Sequence, residues 1–389
     1  MSTAVFSLYV HIPYCLSKCP YCDFNSHAAE EWPEARYTDA LCSEIAHFAG
    51  HAPWQGKSLG TIFFGGGTPS LFAPASIKRI LDAAYAAWPV SGDAAHEVTL
   101  EANPGTVTEA KLAGFLEAGV NRMSFGVQSF AEHHLRTLGR AHDARAAVSA
   151  LRAARAAGFE NLSLDLIFAL PGQDPAEWTA DLQQACALAP DHVSAYNLTY
   201  EEGTPFRLWR DSGRLQALPE EHELAMFNQT RSMLASAGYV QYEISNYARP
   251  GHECRHNLNY WRGGPYLGVG AGAHSFSGVD GGGAWGERWS NRKSPGLYMA
   301  DIEQGGRAVD RSERLDQDQA RGEFVFLGLR CLDGFEAREF ERRFGCDLET
   351  AFPHAVDLGR NGLLRRTDGR WALTGRGLLV GDSVFATFV

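Results

Sequence analysis

Between residue 7 and about residue 240, short apolar runs alternate with longer stretches that are apolar along one side only. The runs fall at 7–12, 61–64, 97–100, 122–127, 162–168 and 192–198 and are bounded by Gly, Pro or Asn. Such runs predict buried strands. The stretches at 35–49, 75–87, 109–118, 144–157, 176–187 and 220–237 are rich in Ala, Leu, Arg and Glu and predict helices. Their ends agree with this. Pro74 suits a first helical turn, the Thr108 hydroxyl can cap the third helix, and Gly158 and Gly238 stand just past helix ends.

Strand–helix units in succession predict parallel strands joined by right-handed crossovers. A doubly wound sheet and a barrel both satisfy that pattern. The polar residues separate them. Tyr9 and His11, then Gly65, Gly66, Gly67 and Thr68, then Glu101, Gln128, Asp165 and Tyr200 fall at or just past the carboxyl ends of predicted strands, with every unit contributing. A ring of such residues on one rim is a barrel arrangement, whereas a doubly wound site draws on fewer strands. Six units fall short of the eight of a closed barrel, so the expected fold class is α/β, a partial (βα)6 barrel over residues 1–240.

The pattern then changes. Residues 241–317 form a Gly-rich, irregular connecting segment with glycines concentrated at 263–264, 268–273 and 281–283. From residue 318 to 389, helical patterns at 319–330 and 336–344 precede a hairpin predicted at 363–366 and 371–374 around Asp368 and Gly369. That order suggests a small winged-helix-like domain. From Cys331 onward it carries eight Arg or Lys against nine Asp or Glu, so packing against the barrel is the expected role, ahead of DNA binding.

Composition narrows the chemistry. Hydrophobic residues make up 45% of the 389 positions and charged ones 21%, enough for a large core. The formal charge of −11 disfavours a nucleic-acid partner. The first residues show no basic-then-apolar leader, and no apolar stretch approaches the ~20 residues of a membrane span. A cytoplasmic protein, touching a membrane at most peripherally, is expected. Of eight cysteines, only Cys15, Cys19 and Cys22 cluster, in CLSKCPYCD. In a reducing compartment a tight cluster points to metal or catalytic chemistry.

Three chemistries compete for it. Cys19 and Cys22 alone could form a redox dithiol, but such a site sets its first cysteine at a helix N-terminus. Here the turn-like run Asp23-Phe24-Asn25-Ser26 follows, and Cys15 would have no role. Zinc could take the three thiolates with His11 or His27, which leaves the rim residues and the GGGTP at 65–69 unexplained. A [4Fe–4S] cluster would take one thiolate per iron at three irons and leave the fourth open.

The C-x3-C-x2-C spacing, with Tyr21 before the third cysteine, resembles the signature of the radical S-adenosylmethionine (SAM) superfamily. YVHIPYCLSKCPYCDFNS, FFGGGTPS, LEANP, RMSFGVQSF, LGRAHD, LDLIFALPG and HNLNYW are together similar to its coproporphyrinogen dehydrogenase-like branch, and within that branch to the haem chaperones, over nearly the whole chain. The resemblance implies that Cys15, Cys19 and Cys22 ligate the cluster and that Tyr9 lines the SAM site. It places Gly66, Gly67 and Thr68 at the methionyl end, where a missing Cβ lets backbone approach a ligand. Glu101 and Arg140 would bind the charged amino-acid end, and Gln128 and Asp165 the ribose hydroxyls.

The branch divides at one position. Its decarboxylating members carry a fourth cysteine two residues after the third, where this chain has Phe24. The resemblance therefore implies a carrier that binds haem and delivers it to haem-accepting proteins, respiratory haemoproteins among them. Oxygen-independent oxidative decarboxylation of coproporphyrinogen III is the alternative. The HNLNYW run at 256–261 is associated with haem in the chaperones. His256 could be an axial ligand, with Tyr260 and Trp261 as flat apolar faces. Cys254 is a further candidate near the iron, and His274 one near the SAM pocket. Equally, the run could lock the barrel's closing segment, and the sequence leaves both readings open.

Overall fold

The computed structural model describes residues 4–92, 96–278 and 285–389. Six strands alternate with six long helices: β1 (Val5–Ile12), α1 (Glu34–Ala49), β2 (Ser58–Gly66), α2 (Pro74–Ala87), β3 (Glu97–Ala102), α3 (Glu109–Ala118), β4 (Arg122–Gln128), α4 (Ala144–Ala157), β5 (Asn161–Phe168), α5 (Pro175–Leu188), β6 (His192–Asn197) and α6 (Glu220–Ser236). Strands β1 to β6 pair parallel in chain order. The expected partial barrel is thus formed.

The strands are not uniformly apolar, and their alternation separates core from site. In β1 the residues Phe6, Leu8, Val10 and Ile12 are essentially inaccessible and join the hydrophobic core. Ser7, Tyr9 and His11, at the intervening positions, face the barrel interior. In β4 the core takes Met123, Phe125 and Val127, and the alternate set is Arg122, Ser124, Gly126 and Gln128. Local signals end the helices where the sequence says. Thr108 Oγ1 accepts the Lys111 N–H, Asp174 and Glu177 form a capping box on α5, and Gly119 and Gly158 close α3 and α4 with φ of 109° and 105°.

The segment read as irregular is largely ordered sheet. Beyond β6 lies β7 (Asn246–Ala248), antiparallel to it, and then comes α7 (Arg255–Trp261). Next, β8 (Tyr266–Val269) returns to the free edge of β1 and pairs with it in parallel. After it β9 (His274–Phe276), β10 (Glu287–Asn291) and β11 (Val309–Arg314) extend that edge antiparallel. The described sheet has twelve strands, with β1 near its middle. The glycines that hid β8 are needed for close packing. A Cβ on Gly268 would lie 2.1 Å from the His274 carbonyl oxygen, and one on Gly270 2.4 Å from that of His11. The run 281–283 lies outside the described residues.

The C-terminal part builds a second core. Phe324 from α8 (Gln317–Arg330) meets Phe340 and Phe344 from α9 (Ala337–Phe344) and Trp371 from a three-stranded sheet. That sheet contains the expected hairpin, Leu364–Thr367 with Arg370–Leu373. Asp368 and Gly369 both take left-handed φ, 52° and 78°, as a two-residue turn of that hand needs. This part joins the barrel where the Leu332 N–H donates to the Tyr242 carbonyl and where Arg330 covers the Trp261 ring at 4.4 Å.

Candidate functional site

A cavity of about 460 Å³ opens beside the carboxyl-end half of the parallel strands. Cys15, Cys19, Cys22, Gly66, Gly67, Thr68, Glu101, Gln128, Arg140 and Asp165 all line it, so one rim gathers nearly every residue expected there. The cysteines sit on a loop after β1 that is tied at several points. His11 Nε2 donates to the Asn25 carbonyl at 2.9 Å, which leaves Nδ1 to accept from the Tyr9 hydroxyl at 3.0 Å. Asn25 Nδ2 donates to the carbonyls of Ala271 and Lys293, and Lys18 donates to those of Phe24 and Ser26. A turn bond from Cys22 N to the Cys19 carbonyl sets the last two thiols.

Polar groups of the wall approach each sulfur, and Cys19 Sγ also donates to the Gly139 carbonyl at 3.9 Å. Thr68 Oγ1 donates to Cys15 Sγ at 3.5 Å, Arg140 Nη1 to Cys19 Sγ at 3.6 Å, and Cys22 Sγ lies 3.8 Å from Ser26 Oγ. Burial raises the Cys15 and Cys22 thiols above their ordinary pKa, so a bound metal would have to displace their protons. Ligands of a single tetrahedral zinc stand ~3.3–3.8 Å from one another. Among the described residues, the one set of three such ligand atoms within 4.8 Å of each other is His133, His134 and Glu177, away from the thiols. His11, with both ring nitrogens bonded and burial lowering its pKa to about 4, is not a spare fourth zinc ligand. Three separated thiols around one cavity fit a multi-iron cluster.

The opposite wall is acidic. Glu101 accepts the Gly66 N–H at 3.3 Å, while both oxygens of Asp165 accept from Ser124 Oγ, at 3.1 and 3.3 Å. Burial, with the nearby Asp165 charge, pushes the Glu101 carboxyl up to about 8, and burial raises Asp165 as well. Arg140 is fixed by its Nη2 bond of 2.7 Å to the Gly126 carbonyl. Gln128 takes φ of 70° at a register shift in β4, a strained turn that aims the strand's last residue into the cavity.

Several residues lie elsewhere. Tyr9 belongs to a second cavity, about 180 Å³, deeper in the barrel with Arg122, His192, His256 and Tyr260. Glu101 and Asp165 line both cavities and form the partition. Tyr200 is a packing residue, buried in an apolar cluster with Ile167, Leu198 and Phe206 that backs Tyr21. His274 is exposed on β9 and lines neither cavity. Gly66 and Gly67 have another reason to lack a Cβ. One on Gly66 would meet the His11 ring at 2.5 Å, and one on Gly67 the Tyr14 carbonyl oxygen at 2.6 Å. They let β2 close on the cysteine loop.

The 256–261 run lies in the helix α7, packed against the barrel strands. His256 is fully buried, its Nδ1 2.8 Å from Thr61 Oγ1 and its Nε2 2.8 Å from the Tyr260 hydroxyl. Burial lowers its pKa to about 3, so the ring is neutral, and each of its nitrogens has a hydroxyl neighbour. Tyr260 is packed edge-on against His256 and Tyr266, and Arg330 covers Trp261. Cys254 is buried against Glu97, and burial pushes its thiol up to about 12. Ser124, Asn103 and Tyr196 also line the outer cavity and were not anticipated. For Ser124 the signal was present, because it alternates with Arg122, Gly126 and Gln128 on one face of β4.

Fold and site together define a radical SAM protein. The Radical SAM superfamily profile matches residues 9–185 and that of the HemN C-terminal domain residues 315–380. The chain is 38% identical to the heme chaperone HemW of Escherichia coli over 385 residues, covering 98% of each, and 36% identical to that of Bacillus subtilis, covering 98% and 99%. It belongs to this HemW family within the superfamily. The solved structure of the coproporphyrinogen III oxidase HemN from Escherichia coli superposes with a TM-score of 0.83 over 100% of this chain and 91% of that one; at 24% identity it bears on the fold.

Proposed function

We propose that this chain is a haem carrier that holds a [4Fe–4S] cluster, binds SAM and passes haem to haem-accepting proteins. The observation that carries the reading is the cavity with exactly three cysteine thiols in its wall and Phe24 beside them, in a chain similar from end to end to proteins named heme chaperones. Phe24, 61% exposed at the cavity wall, cannot supply the thiol that decarboxylating members of the branch carry.

Cys15, Cys19 and Cys22 would hold the cluster. When bound, the cluster would supply an open iron for the amino-acid end of SAM. Glu101 would take the ammonium, and Arg140 would meet the carboxylate while keeping its bond to Gly126. Gln128 and Asp165 can accept from ribose hydroxyls, and the Gly66–Thr68 backbone borders the methionyl end. Tyr9, in the inner cavity, is left out of this set. No described helix is long and apolar enough to cross a membrane, and reduced thiols suit a cytoplasmic location.

The test is anaerobic reconstitution with iron and sulfide quantitation, haemin titration followed by the Soret band, transfer to an apo-haemoprotein, and an assay for protoporphyrinogen formation. A cluster lost on replacing any of the three cysteines and kept in Cys42→Ala, with haem transfer and no conversion of coproporphyrinogen III, supports the carrier. Robust conversion would restore the decarboxylase reading.

A further inference from the structure

With His256 committed on both nitrogens, a carrier of haem needs another place for it. A third cavity, about 370 Å³, lies on the seam between the barrel's closing segment and the C-terminal part. That volume is within the ~300–1,000 Å³ typical of small-molecule sites. Its walls are mostly flat and apolar, with Phe276 and Tyr266 on one side and Phe324 and Leu327 on the other. Arg288 and Arg343 reach the same wall. Arg288 is already paired with Glu313 and Glu323, while the Arg343 guanidinium lies over the rings of Phe324 and Phe344 at 5.5 and 5.6 Å. The cavity is smaller than a whole haem, so an apolar disc carrying carboxylates would seat part of one face in it and leave the rest at the mouth.

The lining contains no imidazole, thiol or thioether. Its groups able to bind ferric iron through a phenol oxygen, a known haem ligand, are Tyr260 and Tyr266. The Tyr260 hydroxyl is bonded to His256. The Tyr266 hydroxyl has no hydrogen-bond partner among the described residues; burial and Glu323 push its pKa up to about 12 and Arg288 draws it down, so an iron would have to displace the phenol proton. We propose that the haem carried by this chain sits in the seam cavity, with the Tyr266 phenol oxygen as axial ligand of the ferric iron. The proposal rests on the haem-carrier reading. On binding, an iron–oxygen bond forms, the iron's water leaves and the phenol proton passes to solvent. No electron is transferred.

Haemin titration of the full chain tests it. The wild type is expected to show phenolate-to-iron charge transfer in the visible spectrum and phenolate modes in resonance Raman. Tyr266→Phe should lose both signatures and weaken binding at least tenfold. Leu327→Trp, which fills the cavity without touching the iron, should weaken binding by a similar factor while circular dichroism and thermal melting stay as in the wild type. His256→Ala should keep the phenolate signature. A wild type that binds haemin without that signature overturns the proposal, even where Tyr266→Phe fails to fold. So does unchanged affinity in either cavity variant, which leaves the carrier reading standing. A wild type that binds no haemin removes both.

Discussion

Glu101 shows how much one side chain can couple. It bonds Gly66 at the end of β2 and separates the two barrel cavities. Its native pKa of about 8 lies far above the ~4.3 of an unfolded chain. The folded state therefore binds the proton more tightly, and its stability falls as pH rises from about 4.3 to about 8. Glu101→Gln should flatten that fall and be relatively most stabilising near pH 8, although Glu44, pushed up to about 7 by burial, keeps part of the slope. Urea midpoints of the apo-protein between pH 5 and 9 would show it; identical profiles would refute the assignment. Gly66 is similarly constrained. Its φ of 113° and the His11 ring 2.5 Å from a would-be Cβ mean that Gly66→Ala should destabilise by more than ~1 kcal/mol. Even where the variant folds, it should load less cluster iron, because the ring it displaces ties down the cysteine loop.

Among the elements, α7 is the least self-sufficient. It has seven residues and begins on the Glu97 carboxylate, which accepts from the backbone N–H groups of Arg255 and His256, each at 3.0 Å. Glu97→Ala should cost about 1–3 kcal/mol, because one buried and one part-buried donor lose their acceptor. Amide exchange should rise first across 255–261; protection unchanged there would mean that the helix is held otherwise. The same element marks the limit of sequence reading. The six βα units were legible because period-2 and period-3.6 patterns are local. The rim was legible because Gly66, Glu101 and Gln128 fall near strand ends. What α7 does was not, because its partners Thr61 and Glu97 come from distant strands and are specified only by packing. Strand β8 escaped for a related reason. Its glycines read as loop until the neighbouring backbones show why no side chain fits.

Across the whole molecule, the two cores meet at a polar–aromatic joint. Arg330 over Trp261 is its clearest contact, and a double-mutant cycle with Arg330→Ala and Trp261→Leu should return a coupling of ~0.5–2 kcal/mol. A coupling near zero would mean that the C-terminal part is held elsewhere. Strand order also has a consequence in time. The strand leading to the cysteines is made before the other strands of the described sheet, and one of its edges pairs with residues 266–269. At ~5–20 residues per second of synthesis, that edge waits on the order of 10–50 s for its partner. An apolar strand with an open edge is a template for wrong pairing. For most of its translation the nascent chain thus offers its unfinished metal-binding end to whatever is nearby, and early capture by other folding factors, or early loading of iron and sulfide, would be an advantage built into its topology.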